Sequence, residues 1–218
     1  MRQLFPGIWK KDSELLTSNL TPGQRFFSER LVMIGKQEYR VWEPHRSKPA
    51  AAIIKGLKQW PIKPGQKMLY LGIANGQTAS YFSDILGNNG FIYGIEISER
   101  PFRELLLLAE KRKNIMPMIA DARRPQDYDW IEEVDILYQD VATPDQSEIA
   151  IRNAKIFLKP GGFALIAIKS RSIDVTKEPK EIYQQEFKKL AECFTLVDKT
   201  ELDPYEKDHM FAVLKFNP

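Results

Sequence analysis

The sequence contains a single cysteine, Cys193, and no long apolar run. One cysteine excludes an intrachain disulfide, which is typical of a protein from a reducing compartment. A membrane-spanning helix needs about 18 or more mostly apolar residues in a row, and no segment approaches that length. The first residues, MRQLFPGIWKKDSELL, lack the apolar stretch of a secretory signal. We therefore expect a cytoplasmic protein with no membrane partner.

An excess of charge of one sign is also missing, because 32 lysines and arginines face 29 acidic residues and leave a net charge of +3. The charge is uneven along the chain. Residues 1–63 hold 12 basic and 5 acidic residues, whereas residues 64–218 hold 20 and 24. A basic segment on a mildly acidic body indicates one face that meets a polyanion. A solvated basic surface explains the same numbers equally well, so charge alone leaves both interpretations open.

Two kinds of local pattern divide the chain. Residues 1–42 contain four short strand-like runs separated by turns, which predicts a small N-terminal β-sheet domain over residues 1–44. In residues 45–218, short apolar runs alternate with amphipathic helical patterns from residue 67 onward. This alternation predicts an α/β domain whose parallel sheet is covered by helices on both faces.

The two ends of that second domain have distinct patterns. Ala51, Ile54, Leu57 and Trp60 fall at helical spacing and predict a helix that ends at Pro61. The last two strand-like runs, CFTLVDKTEL and HMFAVLKF, have no helix between them. The final strand can therefore join the sheet only as an antiparallel neighbour.

Small and acidic residues follow the first three strands of the predicted sheet. In an open α/β sheet, ligands bind beyond the carboxyl ends of the strands. The first strand is followed by three small residues, Gly72, Ala74 and Gly76. Glu96 ends the second strand and suits the hydroxyl pair of a ribose, and Asp121-Ala122 ends the third, where an acid can accept from an adenine amino group. A tight turn explains the glycines alone, but the three positions together favour a cofactor that contains a nucleoside.

Four polar residues are expected at the same edge of the sheet. Asp140 and Lys169 each close an apolar strand, His209 opens the final antiparallel strand, and Lys48 begins the helix that leads into the sheet. Each has an ordinary explanation when it is taken alone: a helix cap, a strand end that meets water, a surface histidine and a basic patch. Together they suit the activation of a ribose 2′-hydroxyl, which is a poor nucleophile and needs a base.

Several longer segments resemble fibrillarin. They are RVWEPHRSKPAAAI, MLYLGIANGQTASYFSD, YQDVATPDQSEIAIRNAKIFLKPGG, AIKSRSIDVTKEPKEIY and DPYEKDH. The resemblance implies a class I S-adenosylmethionine-dependent methyltransferase sheet with a reversed C-terminal strand. It also implies RNA-guided 2′-O-methylation of ribose in pre-ribosomal RNA and in some transfer RNA. The Gly/Arg-rich N-terminal extension of eukaryotic members is missing, so the chain resembles an archaeal member.

The resemblance also implies partners and roles. The partners are a box C/D guide RNA, the target RNA, a Nop-domain scaffold protein and a kink-turn-binding protein. Lys169 is the implied base, Asp140 holds it and the substrate ribose, and Lys48 and His209 tune charge and position the hydroxyl. The implied cofactor residues are Gln77, Thr78, Glu96, Ile97, Asp121, Ala122, Asp140, Val141, Ala142 and Thr143. Relatives often carry two threonines where this chain has Gln77-Thr78, and usually glutamine at the position of Thr143. No metal is implied.

Two other functions are alternatives to RNA methylation. A fibrillarin-like subunit that binds RNA or protein without catalysing would not need an intact Lys/Asp/Lys/His set. A nicotinamide-dependent oxidoreductase would need a full glycine fingerprint, which the chain lacks. Three segments are candidate surfaces for the scaffold protein: a helix at residues 123–132, the run Leu105–Leu108 and a helix around residues 144–157. The leucine run is more typical of a core than of an interface.

Overall fold

The computed structural model describes residues 1–218 and contains two β-sheets. The N-terminal sheet has five antiparallel strands in the order β1-β2-β3-β5-β4, one more than the four predicted runs. Its strands are β1 (Arg2–Phe5), β2 (Ile8–Lys11), β3 (Glu14–Ser18), β4 (Leu31–Ile34) and β5 (Gln37–Trp42). The extra strand arises because the first predicted run, LFPGIWK, is divided by a tight turn in which Gly7 has a φ of +74°.

The second sheet has seven strands in the order β11-β12-β10-β9-β6-β7-β8. They are β6 (Lys67–Leu71), β7 (Phe91–Glu96), β8 (Ile115–Ile119), β9 (Val134–Gln139), β10 (Leu158–Lys169), β11 (Phe194–Glu201) and β12 (His209–Phe216). Strands β6 to β10 pair in parallel, whereas β12 runs antiparallel to both β10 and β11. The predicted reversal of the last strand is therefore confirmed.

Six α-helices accompany the sheet. They are α1 (Lys48–Ile54), α2 (Gln77–Leu86), α3 (Glu99–Lys111), α4 (Gln146–Phe157), α5 (Ser170–Ile173) and α6 (Pro179–Leu190). None of these helices combines the length and the apolar character that crossing a membrane requires.

Two helix predictions are wrong. Helix α1 ends at Ile54 rather than at Pro61, because Gly56 takes a φ of +101° and stops the helix. Leu57 and Trp60 are buried although they lie outside the helix. The apolar residues of this irregular segment therefore have the spacing of a helix without forming one. The helix predicted over residues 123–132 is only a short 3₁₀ turn, Pro125–Tyr128, because Arg124 before the proline is held out of the helical region.

The core has two large apolar clusters, one on each face of the seven-stranded sheet. One cluster contains Ile8, Leu15 and Trp42 of the N-terminal sheet together with residues of α1 and α2. The ring of Trp42 stacks on Tyr81 of α2 at 5.3 Å. The N-terminal sheet is thus the layer that covers α1 and α2. A domain boundary between residues 44 and 45 stays a prediction, because the two sheets share this cluster.

Candidate active site

A cavity of about 300 Å³ lies beyond the carboxyl ends of β6, β7, β8 and β9. Ten residues predicted for a cofactor line it: Gly72, Ala74, Glu96, Ile97, Asp121, Ala122, Asp140, Val141, Ala142 and Thr143. Parallel strands bring their carboxyl ends to one edge of a sheet, which explains why residues far apart in sequence meet here.

The glycine after β6 is required by close packing at the floor of this cavity. Gly72 has a φ of +74°, and a Cβ atom built on it would lie 3.1 Å from the carbonyl carbon and oxygen of Asp140. A side chain at this position would therefore be strained and would push the ends of β6 and β9 apart.

Glu96 presents a fixed carboxylate to the cavity. The residue is 7% exposed. Its Oε2 accepts a hydrogen bond of 2.8 Å from the amide of Ala74, and its Oε1 accepts one of 2.8 Å from the amide of Ser98. Each carboxylate oxygen can accept more than one hydrogen bond, so both keep the capacity to accept from a ligand hydroxyl.

Three other predicted cofactor residues do not line the cavity. Gly76 comes before α2, and a Cβ atom there would lie 2.5 Å from Leu108 and 2.7 Å from Leu105. Gln77 is the first residue of α2, and its amide donates to Asn75 Oδ1 at 3.3 Å. The hydroxyl of Thr78 lies 3.0 Å from the hydroxyl of Ser47, the residue before Lys48. Their roles toward a cofactor stay predictions.

The cavity also contains residues that the sequence did not single out. They are Ile95, Ser98, Ala120, Arg123 and Ile149. Ser98 lies two residues beyond Glu96, and Arg123 lies two residues beyond Asp121. The segments that follow β7 and β8 thus contribute to the cavity for two residues beyond the predicted acids. Ile149 lies in α4, and no local sequence pattern predicts that it lines the cavity.

Three of the four predicted catalytic residues are in direct contact. Lys48 Nζ lies 3.1 Å from Asp140 Oδ2, and Lys169 Nζ lies 2.8 Å from Asp140 Oδ1. Lys169 Nζ also donates to the backbone carbonyl of Asp140 at 2.7 Å. The three side chains are 15% to 16% exposed. Asp140 lines the cavity as well, so the lysine pair and the cavity share this residue.

His209 lies beside this cluster without bonding to it. It pairs with Lys169 across β12 and β10, which directs both side chains to the same face of the sheet. Its Nδ1 is 2.7 Å from the carbonyl oxygen of Lys207. Because a carbonyl only accepts, Nδ1 carries a proton and donates it to this contact, and Nε2 is the ring nitrogen left for another partner.

Two residues that support the cluster were missed. The side chain of Gln146 at the start of α4 accepts from the amide of Lys169 at 2.9 Å and donates to its carbonyl at 3.2 Å. Glu206 Oε1 lies 3.9 Å from Lys48 Nζ. Only the fold brings these residues to the strand ends, since neither one ends a strand itself.

Comparison with known proteins identifies the family. The fibrillarin family model matches residues 2–218. The fibrillarin-like rRNA/tRNA 2′-O-methyltransferase of Pyrococcus furiosus is 49% identical over 217 residues, which cover 97% of this chain and 96% of the relative.

Solved structures agree with this match. Methanococcus jannaschii fibrillarin, a pre-rRNA processing protein, has a TM-score of 0.95 and 46% identity, and the match covers 99% of this chain and 96% of that one. Aeropyrum pernix fibrillarin with natively bound S-adenosyl-L-methionine has a TM-score of 0.86 and 48% identity over 92% and 88% of the two chains. A fibrillarin in complex with Nop5p has a TM-score of 0.91 and 38% identity over 100% of both chains.

These matches confirm the predicted fold class, an α/β methyltransferase sheet with a reversed C-terminal strand and a small N-terminal sheet. Because one family model spans residues 2–218 and relatives of about half identity cover nearly the whole length, the chain belongs to the fibrillarin family.

Proposed function

We propose that this chain is an S-adenosylmethionine-dependent methyltransferase that acts on the 2′-hydroxyl of ribose in rRNA and tRNA. The observation that carries the proposal is the sharing of Asp140 between the cofactor cavity and the two lysines. A methyl donor in the cavity would lie next to groups that can take a proton from a hydroxyl. The Pyrococcus relative is a methyltransferase of this kind, and the Aeropyrum relative binds S-adenosyl-L-methionine.

The residues of the cavity fit this cofactor. The buried Glu96 carboxylate suits the two ribose hydroxyls, the Asp121 carboxylate suits an adenine amino group, and Gly72 lets the ends of β6 and β9 pack closely beneath them. S-adenosylmethionine, when bound, supplies a methyl group activated by a positively charged sulfur.

The chain's own part in the reaction is to position the ribose and to move one proton. Lys169, in its neutral form, would accept the proton of the 2′-hydroxyl at Nζ as the ribose oxygen takes the methyl group in line; the methyl–sulfur bond would break, and S-adenosylhomocysteine would leave. Asp140 holds Lys169 and the ribose, and Lys48 balances the charge of Asp140. His209 offers Nε2 to position the hydroxyl. Alignment of the reacting groups for in-line attack accounts for much of the rate enhancement.

We further propose that the chain works inside a box C/D particle. A fibrillarin relative forms a complex with Nop5p, which supports a Nop-domain scaffold protein as a partner of this chain. A guide RNA would select the target nucleotide, and a kink-turn-binding protein would complete the particle. The proposal places the choice of target in the guide rather than in a pocket of this chain.

The test is reconstitution with a guide RNA and the two partner proteins, followed by mapping of 2′-O-methyl groups on a target RNA. The variant Lys169→Ala should reduce methyl transfer by at least about 100-fold, since loss of a general base costs about that factor. Its affinity for S-adenosylmethionine, measured by calorimetry, should stay unchanged.

Lys159→Ala is the matched control. Lys159 lies at the opposite end of β10 and pairs with Asp135 at 2.7 Å, so methylation should be normal. Normal methylation by Lys169→Ala would show that Lys169 is not the base. A wild-type chain that assembles but neither binds S-adenosylmethionine nor methylates would instead be a non-catalytic subunit of the particle.

A further inference from the structure

Arg123 reaches across one side of the cofactor cavity. It follows β8 and lines the cavity, and its side chain is 40% exposed. Its Nε and Nη2 donate to the two carboxylate oxygens of Asp145 at 2.9 Å and 3.3 Å. Its Nη1 lies 3.8 Å from Asp121 Oδ2. The guanidinium group therefore connects the turn after β8 with the residue that precedes α4.

The backbone of that turn is held without the help of the Arg123 side chain. The side-chain Nδ2 of Asn153 in α4 donates to the carbonyl of Ala122 at 2.8 Å, and Tyr128 donates to Asn153 Oδ1 at 2.6 Å. Arg152 donates to the carbonyl of Arg123 itself. Removal of the Arg123 side chain should thus open the cavity without collapsing its wall.

The place of Arg123 along the cavity indicates which part of a ligand it meets. The reacting group must lie at Asp140, after β9, and the sheet order then runs through β6 and β7 to β8. Glu96 after β7 suits the ribose, so the end of the cavity at Asp121 and Arg123 is left for the base. A guanidinium plane stacks well on an aromatic ring.

We propose that Arg123 closes the adenine end of the cavity and stacks on the base, held in place by Asp145 and Asp121. This inference rests on the proposed function, because it requires an adenosyl cofactor. Burial raises the pKa of the Asp145 carboxyl, but the hydrogen bond from Arg123 helps to bring it below its ordinary value. Asp145 therefore stays charged at neutral pH and keeps its hold on the guanidinium group.

The experiment is calorimetry on the full chain with S-adenosylmethionine, S-adenosylhomocysteine and methylthioadenosine. The variant Arg123→Ala should weaken all three ligands by about tenfold, as expected for the loss of one stacked cation. Methylthioadenosine is the informative ligand because it keeps the adenosyl group and lacks the amino-acid part. Arg123→Gln, which keeps a polar side chain of intermediate length, should weaken binding similarly and serves as a second variant if alanine impairs folding.

Arg124→Ala is the matched control, because Arg124 is the next residue, pairs with Asp127 and does not line the cavity. It should bind all three ligands like the wild type. The inference is overturned if Arg123→Ala binds all three normally. It is also overturned if only the two ligands with an amino-acid part are weakened, since Arg123 would then meet that part. A wild-type chain that binds none of the three would overturn the proposed function itself.

Discussion

At the residue scale, two buried tyrosines differ in how well their hydroxyls are hydrogen-bonded, and this difference sets what each hydroxyl contributes to stability. Tyr128 donates to Asn153 Oδ1 at 2.6 Å, whereas the buried hydroxyl of Tyr138 in β9 has the hydroxyl of Tyr70 as a neighbour and makes no hydrogen bond of good geometry. Burial raises the pKa of both phenols above the ordinary range, so both stay neutral at physiological pH. A buried hydroxyl without a well-formed hydrogen bond does not regain the hydrogen bonds that it made to water in the unfolded chain.

The two tyrosines therefore respond differently to the loss of the hydroxyl. Tyr138→Phe should change the free energy of unfolding by at most about 1 kcal/mol, because the hydroxyl that is removed makes no hydrogen bond of good geometry. Tyr128→Phe should lower it by about 1–2 kcal/mol, because Asn153 loses its donor. Urea denaturation of both variants checks the prediction. A larger loss for Tyr138→Phe than for Tyr128→Phe would contradict it.

At the scale of elements, the contact between α2 and α3 depends on the absence of a side chain at Gly76. Leu105 and Leu108 of α3 are buried against the turn that begins α2, whereas Leu106 and Leu107 are 43% and 64% exposed. The run of four leucines is thus half core and half surface. Helical periodicity explains this division, because residues three apart share one face.

This contact gives a prediction for the glycine. Gly76→Ala should lower the free energy of unfolding by about 2–4 kcal/mol, since the new methyl group meets two leucines and the left-handed backbone is strained. Gly35→Ala is the matched control. Gly35 also has a positive φ, of +63°, but no atom lies within 4 Å of the added carbon, so only about 1 kcal/mol should be lost. Equal losses in urea denaturation would mean that packing against α3 contributes nothing.

At the scale of the whole molecule, a buried ionic network joins the N-terminal sheet to the helices. Arg40 in β5 is fully buried, donates to Glu29 at 2.7 Å and contacts Asp84 of α2 at 2.9 Å. Arg112, at the end of α3, donates to the same Asp84. The carboxylates of Glu29 and Asp84 balance the positive charges of the two buried arginines. Arg40 and Glu29 both belong to the first 63 residues, so their burial removes one charge of each sign and leaves the basic excess of that segment unchanged.

The network makes stability depend on pH. Burial raises the pKa of Glu29, but the charge of Arg40 and the backbone amides of Phe26 and Phe27 bring it below its ordinary value of 4.5. A depressed pKa stabilises the fold above pH 4.5, and this contribution is lost as the pH falls through the folded-state pKa. Glu29→Gln should therefore lower stability by about 3 kcal/mol at pH 7, because a buried arginine loses its partner. The difference from wild type should shrink as the pH falls below 4.5 and through the folded-state pKa of Glu29.

Denaturant unfolding at several pH values measures this effect. Glu14→Gln is the control, because Glu14 forms an exposed ion pair with Arg30 and such pairs contribute at most about 1 kcal/mol. A loss for Glu29→Gln that does not shrink as the pH is lowered below 4.5 would show that the charge of Glu29 does not stabilise the fold.

Much of the cavity could be predicted because it is built from the ends of strands. Gly72, Glu96, Asp121 and Asp140 each follow an apolar run that the sequence displays, and parallel strands necessarily bring such ends together. The reversal of β12 was predictable in the same way, since too few residues separate it from β11 for a crossover helix. A local pattern is enough wherever the position of a residue follows from the direction of its own strand.

Only the tertiary structure decided which residues support these strand ends. Gln146, Glu206 and Arg123 contact residues of other elements. Gln146 bonds to Lys169, 23 residues away in the chain, and Arg123 bonds to Asp145, 22 residues away. Gly76 serves the packing of α3, and Leu57 is buried outside any helix. The sequence by itself determined the order of the strands along the chain and the residues at their ends, because periodicity and strand direction are local properties. Side-chain contacts between elements depend on where the chain returns in space, and that is settled only when the whole core is packed.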